Sequence, residues 1–244
     1  MEAYKQYWEQ ISQKVAALPQ QSEKIELAAK WVAEALGQGG FIYTSGTGHS
    51  HIFAEEIYYR AGGFARVRPI LDEALMLHKD ASRSTEMERL SGYAEQLLQD
   101  FPIGPKDVFI ISSNSGRNTV SIDMAMIARS AGAKVIVITN LQHSQSVASR
   151  HPSGLKLYEV ADVFFDNLGE IGDAAVSIPG YPYKVGPTST IIVTMLLQGI
   201  MVQAATLMVK NGQDPEIFSS SNADGAEAYN DGLIAKYKGV IRGL

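Results

Sequence analysis

The sequence predicts an α/β fold: a parallel sheet covered by helices on both faces. Three observations carry the prediction. Apolar runs such as "DVFIIS" and "KVIVIT" are continuous rather than alternating, as strands buried on both faces are. Segments of helical periodicity alternate with these runs. The first and third runs end in glycine- and serine-rich turns, "SGTGHS" and "SSNSGRN". In a flavodoxin-like strand order 2-1-3-4-5, those two turns flank the switch point at which ligands bind.

The elements follow in order. Tyr4, Trp8, Ile11 and Val15 are at helical spacing in a first helix, from Met1 to about Leu18. Ile25, Ala28, Ala29, Val32 and Leu36 line one face of a second, from about Ser22 to Leu36, which "GQGG" ends. "FIYTSG" reads as the first strand, "HSHIFAEEIYYRAGG" as a helix closed by Gly62 and Gly63, and "VRPIL" as the second strand. Thr85 to Gln99 reads as a helix, with Thr85 and Glu88 spaced as a capping box. "DVFIISSNSG" is the third strand and its turn. "RNTVSIDMAMIARSAGA" follows as a helix with Gly132 as its C-cap. "KVIVITN" is the fourth strand, and a weak helix is expected around Ser144 to Ser149. "DVFFDN", with "AAVSI" as a further candidate, supplies the last strand or strands. A long apolar helix from Thr188 closes the core, and a loop-rich tail leads into a short final helix.

Composition bounds the function. A chain of 244 residues, 45% apolar and 19% charged, is expected to be one globular domain, with residues 1–38 as a helical extension on the sheet or a dimer interface. The net charge of −5 argues against nucleic acid as a partner. The absence of cysteine excludes disulfides, thiol catalysis and cysteine-bound zinc, and fits a cytoplasmic protein. "IIVTMLLQGIMVQAATLMV" approaches the length of a membrane span. Its glutamines and threonines, and the lack of a second such stretch, favour a buried helix and no membrane partner.

Both conspicuous turns stand between a strand and a helix, where free backbone N–H groups and the positive helix end suit an anion. Ser113, Asn114 and Ser115 add neutral donors, and Gly116 allows close backbone approach. The alternative is that Ser115 is only an N-cap in an ordinary serine-rich turn. Gly46, Thr47 and Gly48 supply a second such turn beside it, which capping alone explains less readily. G-x-G-x-x-G is missing because residue 51 is His51, and the Gly-Lys end of a P-loop is missing too. A monophosphate fits these donors better than a nucleotide.

Here the chain resembles the sugar isomerase (SIS) domains. "SGTGHS" is similar to their first glycine-containing loop, and "SSNSGRN" to their serine-rich phosphate loop. "GPTST" is similar to the start of the last long helix in a subgroup of them. "YRAGG" and "SSNADGAEAYN" are similar to segments of stand-alone members. The resemblance implies a three-layer αβα sandwich with a five-stranded parallel sheet, assembled as a homodimer or homotetramer. It implies binding of a small-molecule sugar phosphate, with Ser113, Asn114, Ser115, Thr47 and Asn118 at phosphate-loop positions. One departure is Gly48, where aminosugar-phosphate synthase relatives often carry serine.

Isomerising a sugar phosphate requires a base beside a carbonyl. His51 and Glu55 are four apart and share a helical face. "HIFAEE" is similar to the "HFAEE" of phosphoheptose isomerases, in which a histidine and a glutamate act at a metal site. Spacing from the histidine selects Glu55, whereas aligning "FAEE" selects Glu56. Those isomerases take a further histidine from the last long helix, which has none here, so no metal and no cofactor are expected. The bland alternative makes Glu55 and Glu56 solvated charges and His51 a turn histidine. Ser45, His49 and His78 are candidate sugar contacts, each with an ordinary loop or turn role as its alternative. Glu86 and Glu88 read as first-turn helix residues. Asn140 and His143 are rim candidates, and Asn222, Asp224 and Asn230 are tail residues able to bond sugar hydroxyls.

The leading expectation is a phosphosugar isomerase abstracting a proton beside a carbonyl. The alternatives are an etherase-like sugar-phosphate lyase, which shares that first step, and a non-catalytic sugar-phosphate sensor or regulatory subunit.

Overall fold

Five parallel strands form the central sheet in the computed structural model, which describes residues 2–222 and 225–244. They are β1 (Ile42–Gly46), β2 (Val67–Ile70), β3 (Val108–Ser112), β4 (Lys134–Thr139) and β5 (Val163–Asp166). Their order is β2-β1-β3-β4-β5, the flavodoxin-like order expected above. Gly46 pairs with Ser112 at the carboxyl ends of β1 and β3, so the two turns leave the sheet side by side.

Side-chain alternation splits the core into two layers. Ile42, Val108, Ile110, Ile136, Ile138 and Phe165 face α2 (Ser22–Gly37) and α8 (Ser189–Lys210). Tyr43, Phe109, Ile111, Val135 and Val137 face α5 (Tyr93–Leu98) and α6 (Thr119–Ser130). With helices on both faces, this is the αβα sandwich. Leu196, Leu197 and Ile200 of α8 are at most 1% exposed, and α8 packs along α2. By length and hydropathy α8 could cross a membrane, yet it is the core helix of this fold.

The N-terminal helices fasten the β5 edge. In α1 (Ala3–Ala17), the buried Lys14 donates to Leu168 O at 2.6 Å and to the Glu170 carboxylate at 3.1 Å. Gln21 donates to Asp166 O at 2.8 Å, and Lys24 to Phe164 O at 3.0 Å.

Several elements depart from the sequence-based expectations. The helix expected to run to Gly62 is only α3 (Ile52–Glu56), preceded by a 3-10 turn over Gly48–His51. Tyr59 then takes φ +41, and the next backbone groups pair with the tail instead of a helix: Gly62 N with Phe218 O, Ala65 N with Glu216 O. The expected helix from Thr85 to Gln99 is two, α4 (Ala81–Met87) and α5, broken before Gly92 at φ +80. Asp80, not Thr85, caps α4, accepting from Arg83 N at 3.0 Å. The weak helix begins earlier, as α7 (Leu141–Ser146), because Asn140 accepts from His143 N. "AAVSI" leaves the sheet as β6 (Ala174–Ser177), pairing antiparallel with β7 (Lys184–Pro187). The final helix, α9 (Ala226–Tyr237), takes in residues expected to be loop.

Candidate functional site

The β3–α6 loop is built to present its backbone. Gly116 sits at φ +55, a conformation glycine adopts without steric cost. A side chain there would crowd Ser144 Oγ and Thr139 Oγ1, both 3.2 Å from a Cβ. The turn is closed by Gly116 N donating to Ser113 Oγ at 3.2 Å and anchored to β4 by Thr139 Oγ1 donating to Ser113 O at 2.7 Å. The Asn114 side chain is held from β5, its Oδ1 accepting from Asn167 at 2.7 Å. Among the described residues, the backbone amides of Asn114, Ser115, Arg117 and Asn118 donate to no protein acceptor. Asn118 is the N-cap residue of α6, but its side chain does not cap the helix. It accepts from Arg150 at 2.8 Å instead. A loop of uncommitted amides at a helix start is an anion-binding geometry.

The first loop faces it from β1. Gly46 is required there, because a Cβ would collide with the Ser50 carbonyl. Gly48 takes φ +56. Among the described residues the amides of Thr47, Gly48 and His49 are likewise uncommitted. Thr47 is buried, and its hydroxyl donates to Glu88 Oε2 at 2.7 Å. The Glu88 carbonyl in turn accepts from Val120 N at 3.1 Å, in the first turn of α6. Glu88, expected as a first-turn helix residue, therefore joins the two loops. No local pattern marks it, because the bond to Thr47 spans 41 residues.

The other candidates divide. His51 Nδ1 donates to Gly48 O at 2.6 Å, since a carbonyl can only accept, which leaves Nε2 for another partner. That Nε2 is 3.7 Å from Glu55 Oε2, and the His78 ring is 6.3 Å from the His51 ring. Glu56 turns away: it pairs with Arg60 and accepts from Gln198 of α8 at 3.0 Å. Ser45 also does not reach the cleft. Strand alternation buries it under α6, where its hydroxyl meets Met124 Sδ at 3.3 Å. His49 and His78 are exposed. Among the described residues no three histidine or carboxylate side chains gather as a metal cluster.

On the far rim, Asn140 is occupied with capping α7 and with Glu170 O. The His143 pKa is lowered by burial first, then by the charges of Lys156 and Arg117. In the tail, Asn230 is bonded twice to the Ser219 backbone, and Asp224 lies outside the described residues.

Comparison with known proteins gives a consistent frame. Residues 6–140 match the SIS domain model. A UPF0309 protein of Halalkalibacterium halodurans is 47% identical over 217 residues, covering 89% of this chain and 90% of its own. A UPF0309 protein of Geobacillus sp. is 43% identical over 236 residues, 96% of each chain. Among solved structures, one from Listeria monocytogenes, provisionally described as a sugar-phosphate isomerase, superposes with a TM-score of 0.51. It covers 88% of this chain and 92% of its own, at 17% identity, a likeness of fold alone.

Proposed function

The chain belongs to the SIS domain family, within its UPF0309 group, and on that premise we propose that it binds a sugar phosphate and isomerises it by moving a proton beside the carbonyl. The observation that carries the proposal is the pair of facing loops with uncommitted amides, joined by Glu88 through Thr47. The phosphate sits on the amides of Ser115, Arg117 and Asn118 with the Ser113 and Ser115 hydroxyls, at the positive end of α6. The sugar extends toward the loop after β1, where Thr47, Gly48 and His51 meet it.

Proton abstraction beside a carbonyl needs a base such as a carboxylate within reach and donors for the enediolate oxygen. Glu88 is the carboxylate between the two loops, and the Thr47 hydroxyl orients it. Glu55 and His51, 3.7 Å apart, form a second acid–base pair at the same loop, and His51 Nε2 exchanges a proton with the sugar oxygens. Glu56, paired with Arg60 and Gln198, holds α3 against α8. The exposed face of α8, with Ile191, Met195, Val202 and Val209 and no charge between Ser189 and Lys210, suits a second copy of the chain.

Incubation with hexose, heptose and amino-sugar phosphates in deuterated water tests the reaction. Loss of the C2 proton resonance of one substrate is expected. No exchange across the three classes contradicts it.

A further inference from the structure

Beside the amide-lined loop stands a group of arginines that the phosphate chemistry above does not use. The segment following α7 is laced to the β3–α6 loop: Arg150 N donates to Arg117 O and Leu157 N to Gly116 O, both at 2.9 Å. Thr119 Oγ1 adds a bond to Arg150 O at 3.4 Å. This brings Arg150 Nη1 to within 2.8 Å of Asn118 Oδ1. Arg117 lies among the cations. Its charge, second to burial, disfavours protonation of both Arg150 and Lys156, and Arg89 adds to the effect on Arg150.

Carboxylates do not compensate. Among the described residues the ion pairs made by arginines belong to Arg60, Arg66 and Arg129, not to Arg89, Arg117 or Arg150. The Nε of Arg117 is buried without a hydrogen-bond partner. The Glu88 carboxylate, which attracts Arg150 at longer range, is bonded to Thr47. A fold that laces like charges together and leaves a guanidinium N–H unpaired incurs a cost that an anion would offset.

We propose that the sugar phosphate bound here carries a second anionic group, a carboxylate or a further phosphoryl, held by Arg117 and Arg150; the inference rests on the phosphosugar function proposed above. The two anions are separated by topology. The amide cradle opens where the turns after β1 and β3 meet, whereas Arg150 arrives from the β4 side, on the segment after α7. Amides and hydroxyls hold a phosphate monoester without an arginine. The guanidinium fork matches the paired oxygens of a carboxylate or phosphoryl through parallel bonds.

The test is calorimetric titration at constant ionic strength with glucose 6-phosphate, 6-phosphogluconate and glucose 1,6-bisphosphate. The proteins compared are wild type, Arg117→Met, Arg150→Met and Arg150→Lys, each checked for an unchanged thermal midpoint. One doubly anionic probe is expected to bind about tenfold or more tightly than glucose 6-phosphate, as one or two charge-assisted bonds provide. Either methionine variant is expected to remove that advantage, Arg150→Met while leaving glucose 6-phosphate affinity unchanged, and Arg150→Lys is expected to restore it only in part. Whichever of the acid and the bisphosphate binds more tightly identifies the second group. Equal affinity for all three probes overturns the inference and leaves the phosphosugar proposal standing. So does an equal loss of glucose 6-phosphate binding in the arginine variants, which would assign the arginines to the phosphate itself. No binding by any phosphorylated probe overturns the inference, and the wider panel of hexose, heptose and amino-sugar phosphates then decides the phosphosugar proposal.

Discussion

The Thr47 hydroxyl donates to Glu88 Oε2 at 2.7 Å, fastening the loop after β1 to the break between α4 and α5. Because the Glu88 carbonyl also accepts from Val120 N of α6, one residue spans the cleft between the two loops. Glu88→Gln keeps this backbone bond and most of the shape but removes the proposed base. Turnover of the cognate sugar phosphate is expected to fall by about 10²–10⁴-fold, the range for loss of a positioned acid–base group, with binding retained. Glu56→Gln is expected to change turnover far less. Parallel kinetics and titration on the two variants check both statements.

Gly116 tests the loop that would hold the phosphate. Alanine there must adopt φ +55 and place its methyl 3.2 Å from Ser144 Oγ and 3.3 Å from Leu157 Cβ. Strain of this kind costs roughly 1–3 kcal/mol. A thermal midpoint lower by several degrees is expected, together with loss of phosphate affinity. An unchanged midpoint would mean that the loop relaxes freely.

Glu216 carries the acid sensitivity of the C-terminal region. It is 8% exposed, 3.0 Å from Arg66 Nε, paired with Lys236, and accepts from Tyr237 OH at 2.5 Å. Burial works to raise its pKa, but the bonds from Lys236 and Tyr237 and the Arg66 charge outweigh it, so the pKa is lowered. A carboxylate with a lowered folded pKa contributes stability above its unfolded pKa, lost as pH falls through the folded value. Glu216→Gln is therefore expected to cost about 3 kcal/mol near neutrality, as breaking a buried pair does. The difference from wild type should shrink steadily in acid below the ordinary glutamate range. Denaturant unfolding from neutral pH to about pH 3 measures it.

Val202, 66% exposed in the middle of α8, tests the proposed dimer face. Val202→Asp is expected to leave the monomer folded, because the side chain already faces outward, and to shift light-scattering mass toward one chain. A wild type that is itself monomeric would remove this face as an interface.

What was legible in the sequence followed from short-range physics. The strand segments could be read from β-branched apolar runs and both turns from glycine and serine placement, while the strand order and the count of five came with the flavodoxin-like order and the family resemblance. The elements that went astray were decided by distant partners. "IYYRAGG" has helix-compatible residues, but its Gly62 amide is taken by Phe218 O and the nearby Ala65 amide by Glu216 O, about 150 residues away. The break at Leu90–Gly92 frees Glu88 to reach Thr47; the Ser91-Gly92 pair in "STEMERLSG" marks a turn, but nothing local names Thr47 as the partner. Ser45 shows the reverse case: two residues from Thr47, it is buried by strand alternation, which a motif does not reveal.

The most direct test of a phosphosugar pocket is a thermal-shift titration of the intact protein with sugar phosphates and their unphosphorylated parents. A ligand at about 100 times its dissociation constant adds roughly 2.7 kcal/mol, on the order of 5–10 °C for a domain of this size. Such a shift is expected with at least one sugar phosphate and none with its parent sugar. Equal shifts with both, or none with any sugar phosphate, would contradict the phosphosugar pocket and leave the two loops as structural turns.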